Sequence, residues 1–261
     1  MINENIILIK IGGSIIKNKD YLINTLNQIH DIIAEKIINK CIIICGGGKY
    51  ADFIRILDSE LKIDPSLSHW MAIKAMDVNI KDIYSQYISY FSKENIVFTE
   101  IYENLKKLIN EKESKLVFFA PFRFLKLKDE LPHSWDVTSD SIALFLSFKL
   151  GLKTTYLIKD VDGIFLKNND KIPCQTISVA KLKEYKKNNL FLDIDKNSMD
   201  SKKASTPIDI YSCTLIEKHK ISCILLNGAS PQKRIYKYFI NYHRNLNISL
   251  NQLIFTKIHY D

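Results

Sequence analysis

Two apolar rhythms alternate along the chain. Residues 6–11 are apolar except for Lys10, and 41–45, 116–120, 154–158 and 222–226 are similar short apolar runs. Such runs predict strands buried on both faces, as in a parallel sheet. Between them apolar residues fall at helical spacing. Leu22, Leu26, Ile29, Ile33 and Ile37 form one stripe, predicting a helix over 21–38. Helices are also expected over 50–57, from Pro65 through Asp77, and over 102–110, 178–187, 210–218 and 235–242, with a short strand at 96–98. Residues 122–133, between Pro121 and Pro132, read as irregular or hairpin, 168–170 as a turn, and 250–258 as an alternating edge strand. Strand, loop and helix recur without an internal repeat or a separating linker. That is βαβ architecture, in which ligands bind at the carboxyl ends of the strands.

One stretch departs from the rhythm. Trp135-Asp136-Val137-Thr138-Ser139-Asp140 precedes a helix that runs to about Leu150, with Ile142, Leu144, Phe145 and Phe148 nearly all round it. A helix apolar on every side is buried. Thr138 or Ser139 supplies its cap. Carboxylates at the entrance of a buried helix require a cation to meet them.

Glycine narrows where that cation lies. Only eight occur, and seven sit in four loops: Gly12-Gly13, Gly46-Gly47-Gly48, Gly163 and Gly228. Lys10 precedes Gly12-Gly13-Ser14. A lysine at a strand end reaches phosphate oxygens, and such a loop exposes N–H groups to an anion. A tight turn with a snorkelling lysine explains the same residues. Gly46-Gly47-Gly48 is a stronger oxyanion signal, because a simple turn needs one glycine, not three. No G-K-[ST] follows it, so it is no P-loop. Asp160-Val161-Asp162-Gly163 fits either an Asx turn or a site for ribose or solvated magnesium. Trp70 and Trp135 are more often core or edge aromatics than ligand contacts, and Met71 and Met76 read as core.

Composition adds exclusions. The 261 residues are 46% hydrophobic and carry a formal charge of +8. The lysines are scattered and no arginine–aromatic module occurs, so no nucleic-acid partner is expected. The five cysteines form no C-x-x-C pair, and Cys41, Cys45 and Cys223 lie in apolar runs. They read as reduced core thiols of a cytoplasmic protein. The six histidines form no zinc motif, and no metal-ligand set is expected. No apolar run is long enough to span a membrane, and the N-terminus lacks a signal-peptide layout.

Taken together and in this order, Lys10 to Ser14, Gly46 to Gly48, Asp140 with its helix, Asp160 to Phe165, and Asn227-Gly228 resemble the amino acid kinase family. Within it, residues 46–52, 69–77 and 131–140 look most like the [5-(aminomethyl)furan-3-yl]methyl phosphate kinases of methanofuran biosynthesis. The resemblance implies a three-layer α/β/α sandwich around a mainly parallel sheet, as a single domain over 1–261. Residues 1–153 would be the acceptor lobe and 154–261 the nucleotide lobe. It implies ATP as co-substrate with Mg²⁺, a small phosphorylated acceptor, and a homo-oligomer, dimer or larger. Lys10 would stabilise the phosphoryl group in transfer, and Asp140 would orient Lys10 and a second lysine. Gly12, Gly13 and Ser14 would hold the γ-phosphate through N–H groups. Asp160, Asp162 and Gly163 would line the nucleotide site. Gly46, Gly47, Gly48, Asp52, Trp70, Asp77, Trp135, Asp136 and Thr138 would surround the acceptor.

The sequence departs from the family in one place. The second lysine usually sits in a late glycine-rich loop, but 197–204 contains no glycine, only Lys202 and Lys203. Lys159, at the end of the strand before Asp160, is the expected substitute. Other acceptors remain open: uridine monophosphate, isopentenyl phosphate or a carboxylate. So does a non-catalytic nucleotide or oxyanion binder, although the presence of both Lys10 and Asp140 argues against it.

Overall fold

A computed structural model describes residues 6–91, 94–167, 172–192, 208–244 and 253–261. Among these described residues eight strands form one sheet: β1 (Ile6–Ile11), β2 (Lys40–Cys45), β3 (Ile96–Thr99), β4 (Lys115–Phe119), β5 (Thr154–Lys159), β6 (Thr176–Ser178), β7 (Ser222–Asn227) and β8 (Thr256–His259). Their order is β3-β4-β2-β1-β5-β7-β8-β6, and every pairing is parallel except β7 with β8. The helices are α1 (Gly13–Lys17), α2 (Lys19–Ala34), α3 (Gly48–Leu61), α4 (Pro65–Tyr90), α5 (Tyr102–Asn110), α6 (Phe122–Leu127), α7 (Ser139–Lys149), α8 (Val179–Lys187), α9 (Ile210–His219) and α10 (Arg234–Arg244). None is long and apolar enough to cross a membrane.

The sheet separates two apolar clusters, giving the α/β/α sandwich. Leu8, Ile42, Val117, Leu157 and Leu225 pack on one face with α5, α6, α7 and α9. Ile7, Ile9, Ile43, Ile158 and Leu226 pack on the other with α1, α2 and α10. The long α4 contributes to both: Ile73 and Met76 to the first, Ile80, Ile83 and Tyr87 to the second. Cys41, Cys45 and Cys223 are buried and unbridged, as expected of core thiols.

Several elements differ from expectation. The helix from Pro65 runs on to Tyr90, started by Asp64, whose carboxylate accepts from the N–H groups of Ser66 (3.0 Å) and Leu67 (3.1 Å). The helix expected over 50–57 extends to Leu61, where Lys62 ends it in a left-handed conformation. Residues 122–127 are helical, not irregular, because the Asp77 carboxylate accepts the Phe122 N–H at 3.0 Å and fixes the first turn. β8 is no edge strand: it lies between β7 and the short, unforeseen β6. The turn expected at 168–170, the start of the strand expected from 250, and Lys202 and Lys203 lie outside the described residues.

The strand order positions the site. From β1 the chain lays β2 beside it, then β3 at the edge and β4 between β3 and β2, and returns to lay β5 on the other flank of β1. Connections leave β1 and β5 in opposite directions, and a crevice opens at their carboxyl ends.

Candidate active site

Alternation along the strands aims two lysines the same way. Side chains in a strand point to opposite faces with period two. Leu8 faces α7, so Lys10 does too; Leu157 faces α7, so Lys159 does too. Register sets Lys10 beside Leu157, leaving Lys159 two residues further along the neighbouring strand. The α7 residue beneath them is Asp140, in the first turn after the Thr138 cap. Its Oδ1 accepts from Lys10 Nζ at 2.8 Å and its Oδ2 from Lys159 Nζ at 2.6 Å. Lys10 and Asp140 are each 3% exposed, so the pair sits in low dielectric.

Electrostatics follow from that burial. Desolvation alone would raise the Asp140 pKa, but Lys10 and Lys159 outweigh it and hold the carboxyl at about 2. Desolvation lowers the Lys10 pKa, and the charge of Lys159 lowers it further, while Asp140 restrains the fall. One carboxylate for two ammonium groups leaves the cluster one positive charge in excess. That excess can receive phosphate oxygens.

The glycine loops flank this cluster. The Gly12 N–H is not free for a phosphate, contrary to expectation: it donates to Ile158 O at 2.8 Å and prolongs the sheet. Glycine is required there for closeness, since a Cβ would lie 2.7 Å from that carbonyl oxygen. Gly46 N–H is likewise committed, to Ile11 O at 2.9 Å. The donors left are those of Gly13 and Ser14 opening α1 and of Gly47 and Gly48 at the entrance of α3, which have no intrahelical acceptor. Gly48 has φ +54, which glycine adopts without strain. Asn79 braces the second loop, its Nδ2 donating to Gly46 O at 2.9 Å. The Ser14 hydroxyl donates to Asp160 at 2.8 Å, tying the loop after β1 to the loop after β5.

These parts line one cleft of about 1030 Å³. The cleft wall includes Lys10, Gly12, Gly13, Ser14, Gly46, Gly47, Gly48, Asp140, Lys159, Asp160 and Gly163, and also Asp52, Trp135, Asp136 and Thr138. Three expected contacts are not on it. Asp162 turns aside to accept from Asn227 Nδ2 at 3.0 Å and pairs with Arg234 at 3.3 Å. Asp77 is occupied by the Phe122 N–H and by Lys74 at 3.6 Å. Trp70 packs among His69, Phe122 and His133 under the Lys126 ammonium. Each is held by neighbours that spacing along the chain could not reveal.

The cleft also holds residues that the sequence reading did not single out. Asp209 caps α9 and reaches across to α7. It accepts from the Thr138 hydroxyl at 2.6 Å, from the N–H groups of Thr138 (3.0 Å), Ser141 (3.1 Å) and Ser212 (2.7 Å), and from the Ser141 hydroxyl. An aspartate directly before the apolar helix 210–218 was its signal. Lys17, paired with Asp52, and Arg55 line the side near α3. His69 lies there too, its pKa lowered to about 4 chiefly by burial and further by His133, so its imidazole is neutral at pH 7. No set of three or more side chains that could hold a metal ion occurs among the described residues.

Residues 5–227 match the amino acid kinase family. A [5-(aminomethyl)furan-3-yl]methyl phosphate kinase of Methanocaldococcus jannaschii is 31% identical over 226 residues, covering 87% of this chain and 89% of that protein. Among solved structures, UMP kinase from Bacillus anthracis has a TM-score of 0.66 at 18% identity, covering 98% of this chain and 96% of that one. Aspartate kinase from Synechocystis has a TM-score of 0.61 at 13% identity, covering 87% of this chain and 38% of that one. At such identities the solved structures speak for the fold alone. With the family matched across most of its length, this chain belongs to the amino acid kinase family and is a kinase.

Proposed function

We propose that this kinase transfers the γ-phosphoryl group of ATP to a phosphate monoester, giving a diphosphate and ADP. We further propose that the acceptor is [5-(aminomethyl)furan-3-yl]methyl phosphate, in methanofuran biosynthesis. The observation that carries the transfer is the bridge of Lys10 and Lys159 on Asp140, between two loops that offer N–H groups. The identity of the acceptor is supported by the 31% identical Methanocaldococcus jannaschii kinase.

Phosphoryl transfer needs positioning and neutralised charge more than covalent help. An acceptor phosphate oxygen attacks the γ-phosphorus while the bond to the β-bridging oxygen breaks. Negative charge gathers on the oxygens between, where Lys10 and Lys159 reach from either side of Asp140. The N–H groups of Gly13 and Ser14 meet the γ-phosphate. Asp160 and Gly163 border the nucleotide, in the lobe 154–261, and the N–H of Gly48 meets the acceptor, in the lobe 1–153. Trp135 offers a flat wall to a furan ring, and the exposed Asp136 is an anion for its aminomethyl group.

Magnesium fits this donor set only as a partner of the phosphates. Asp140 is saturated by lysines and Asp209 by hydroxyl and N–H donors, so the cleft carboxylates that could hold the ion are Asp160 and Asp136. Bound there, magnesium would supply charge neutralisation on the phosphates.

The test is an acceptor screen with purified protein and ATP: the furan phosphate, uridine monophosphate, isopentenyl phosphate and acetylglutamate. ADP release with a diphosphate signal in phosphorus NMR is expected for the furan phosphate. Faster turnover of another acceptor would reject the acceptor, and no turnover of any phosphate monoester would reject the reaction.

A further inference from the structure

Arg55 lacks an acid partner although acids surround it. On a helix its natural partners lie three positions away, at Asp52 and Asp58. Both are taken. Asp52 pairs with Lys17, from α1, and Asp58 accepts the indole N–H of Trp135. The half-buried guanidinium instead lies over the Trp135 ring, its carbon 4.6 Å from the ring centroid. Among the described residues Arg55 makes no ion pair and no hydrogen bond.

A guanidinium stacked on an indole is held in orientation but keeps its N–H donors. These form a rigid fork that matches two oxygens of one phosphate. Arg55 and Trp135 line the same cleft as Gly47 and Gly48. Arg55 lies about two turns into α3, and helical side chains lean back toward the helix N-terminus. That direction leads to the glycine loop. The Trp135–Asp58 bond anchors the ring itself, so the guanidinium rests on a fixed support.

We infer that Arg55, oriented by Trp135, binds the phosphate that the acceptor already carries and so selects phosphorylated acceptors over the free alcohols. This rests on the phosphate-monoester reading above. The competing account is that Arg55 only covers the Trp135 ring. A methionine keeps most of the cover and removes every donor, so the two accounts separate.

The experiment is calorimetry on full-length protein loaded with a non-hydrolysable ATP analogue, titrated with benzyl phosphate and with benzyl alcohol. Arg55→Met should weaken benzyl phosphate binding by about tenfold or more, the usual loss for a hydrogen-bonded charge. Arg55→Lys should fall between, and affinity for the ATP analogue should stay at the wild-type level. Equal benzyl phosphate affinity in wild type and Arg55→Met overturns the inference. So does wild-type protein that binds benzyl phosphate no better than the alcohol, or a matching loss of ATP-analogue affinity, which would make Arg55 a nucleotide ligand. If Arg55→Met fails to fold, Arg55→Lys carries the test, since it keeps the charge and loses the fork. Turnover of the furan phosphate is scored separately in wild type. Failure there with Arg55-dependent benzyl phosphate binding rejects the named acceptor and leaves this inference standing.

Discussion

At the scale of single residues, the lysine pair makes a claim that kinetics can check. Lys10 and Lys159 approach Asp140 from adjacent strands, so each is expected to act on the transferring group. Lys10→Ala should lower kcat about a hundredfold or more, the typical loss of one preorganised electrostatic contact. Lys159→Ala should match it within about tenfold, whereas a Lys202/Lys203 double alanine variant should stay near wild type. A kinetic defect confined to the double variant would remove Lys159 from the mechanism. Asp140 makes a second claim, through pH. Its folded pKa of about 2 lies below the ordinary value of 3.8. Between those values the unfolded chain binds more protons than the folded one. The stability that Asp140 contributes is therefore complete above about pH 4 and lost as pH falls toward 2, amounting to roughly 2 kcal/mol. Urea unfolding at steps from pH 5 to pH 2 should reveal this loss in wild type and a flatter profile in Asp140→Asn.

At the scale of elements, the site depends on how helices start. Asp140 is useful only where the first turn of α7 is fixed, and Asp209 fixes it from α9. One carboxylate serves two helix entrances, satisfying N–H groups that would otherwise be orphaned near the core. Asp209→Ala should cost about 2 kcal/mol or more, because α9 loses a cap worth about 1 kcal/mol and the Thr138 and Ser141 donors at the start of α7 lose their acceptor. It should also lower kcat by about tenfold while Asp140 and both lysines remain in the chain, since small misplacements slow positioned reactions. Asp209→Asn keeps the shape and some acceptors, so it should fall between. Chemical denaturation and steady-state kinetics on the same preparations check both halves. An unfolding midpoint like that of wild type in Asp209→Ala would refute the clamp.

At the scale of the whole molecule, two dry layers of helix close over the sheet, and the thiols report their integrity. Cys41, Cys45, Cys213 and Cys223 are buried, and burial pushes their pKa values up, Cys213 to about 11. Cys174 is partly exposed, although burial raises it too. Iodoacetamide on native protein should therefore label Cys174 first and spare the other four, with all five labelled in urea, as read by peptide mass spectrometry. Rapid native labelling of Cys213 would mean that the packing of α9 against α7 opens readily. The same closed layers explain why the chemistry sits where it does. Among the carboxyl ends of the strands, the switch between β1 and β5 leaves a gap, and both lysines stand at its rim.

The sequence alone determined the central strands β1, β2, β4, β5 and β7, because a strand buried on both faces must be apolar at nearly every position, and Lys10 broke the pattern of residues 6–11 visibly. It determined that a buried helix beginning near Asp140 needed a cation. It also made Lys159 a candidate, because the strand before Asp160 ends there. Local chemistry of this kind is written in neighbouring residues. Tertiary structure alone decided what depends on distant partners. It turned Asp162, Asp77 and Trp70 away from the cleft, each toward a partner such as Arg234, Phe122 or His133. It spent the Gly12 N–H on Ile158. It brought Asp209 against Thr138 and Ser141 at the start of α7, and set Trp135 against an arginine 80 positions earlier, at 55. A hydrogen bond needs its partner within about 3 Å, and no spacing along the chain specifies which remote residue the fold will bring that near.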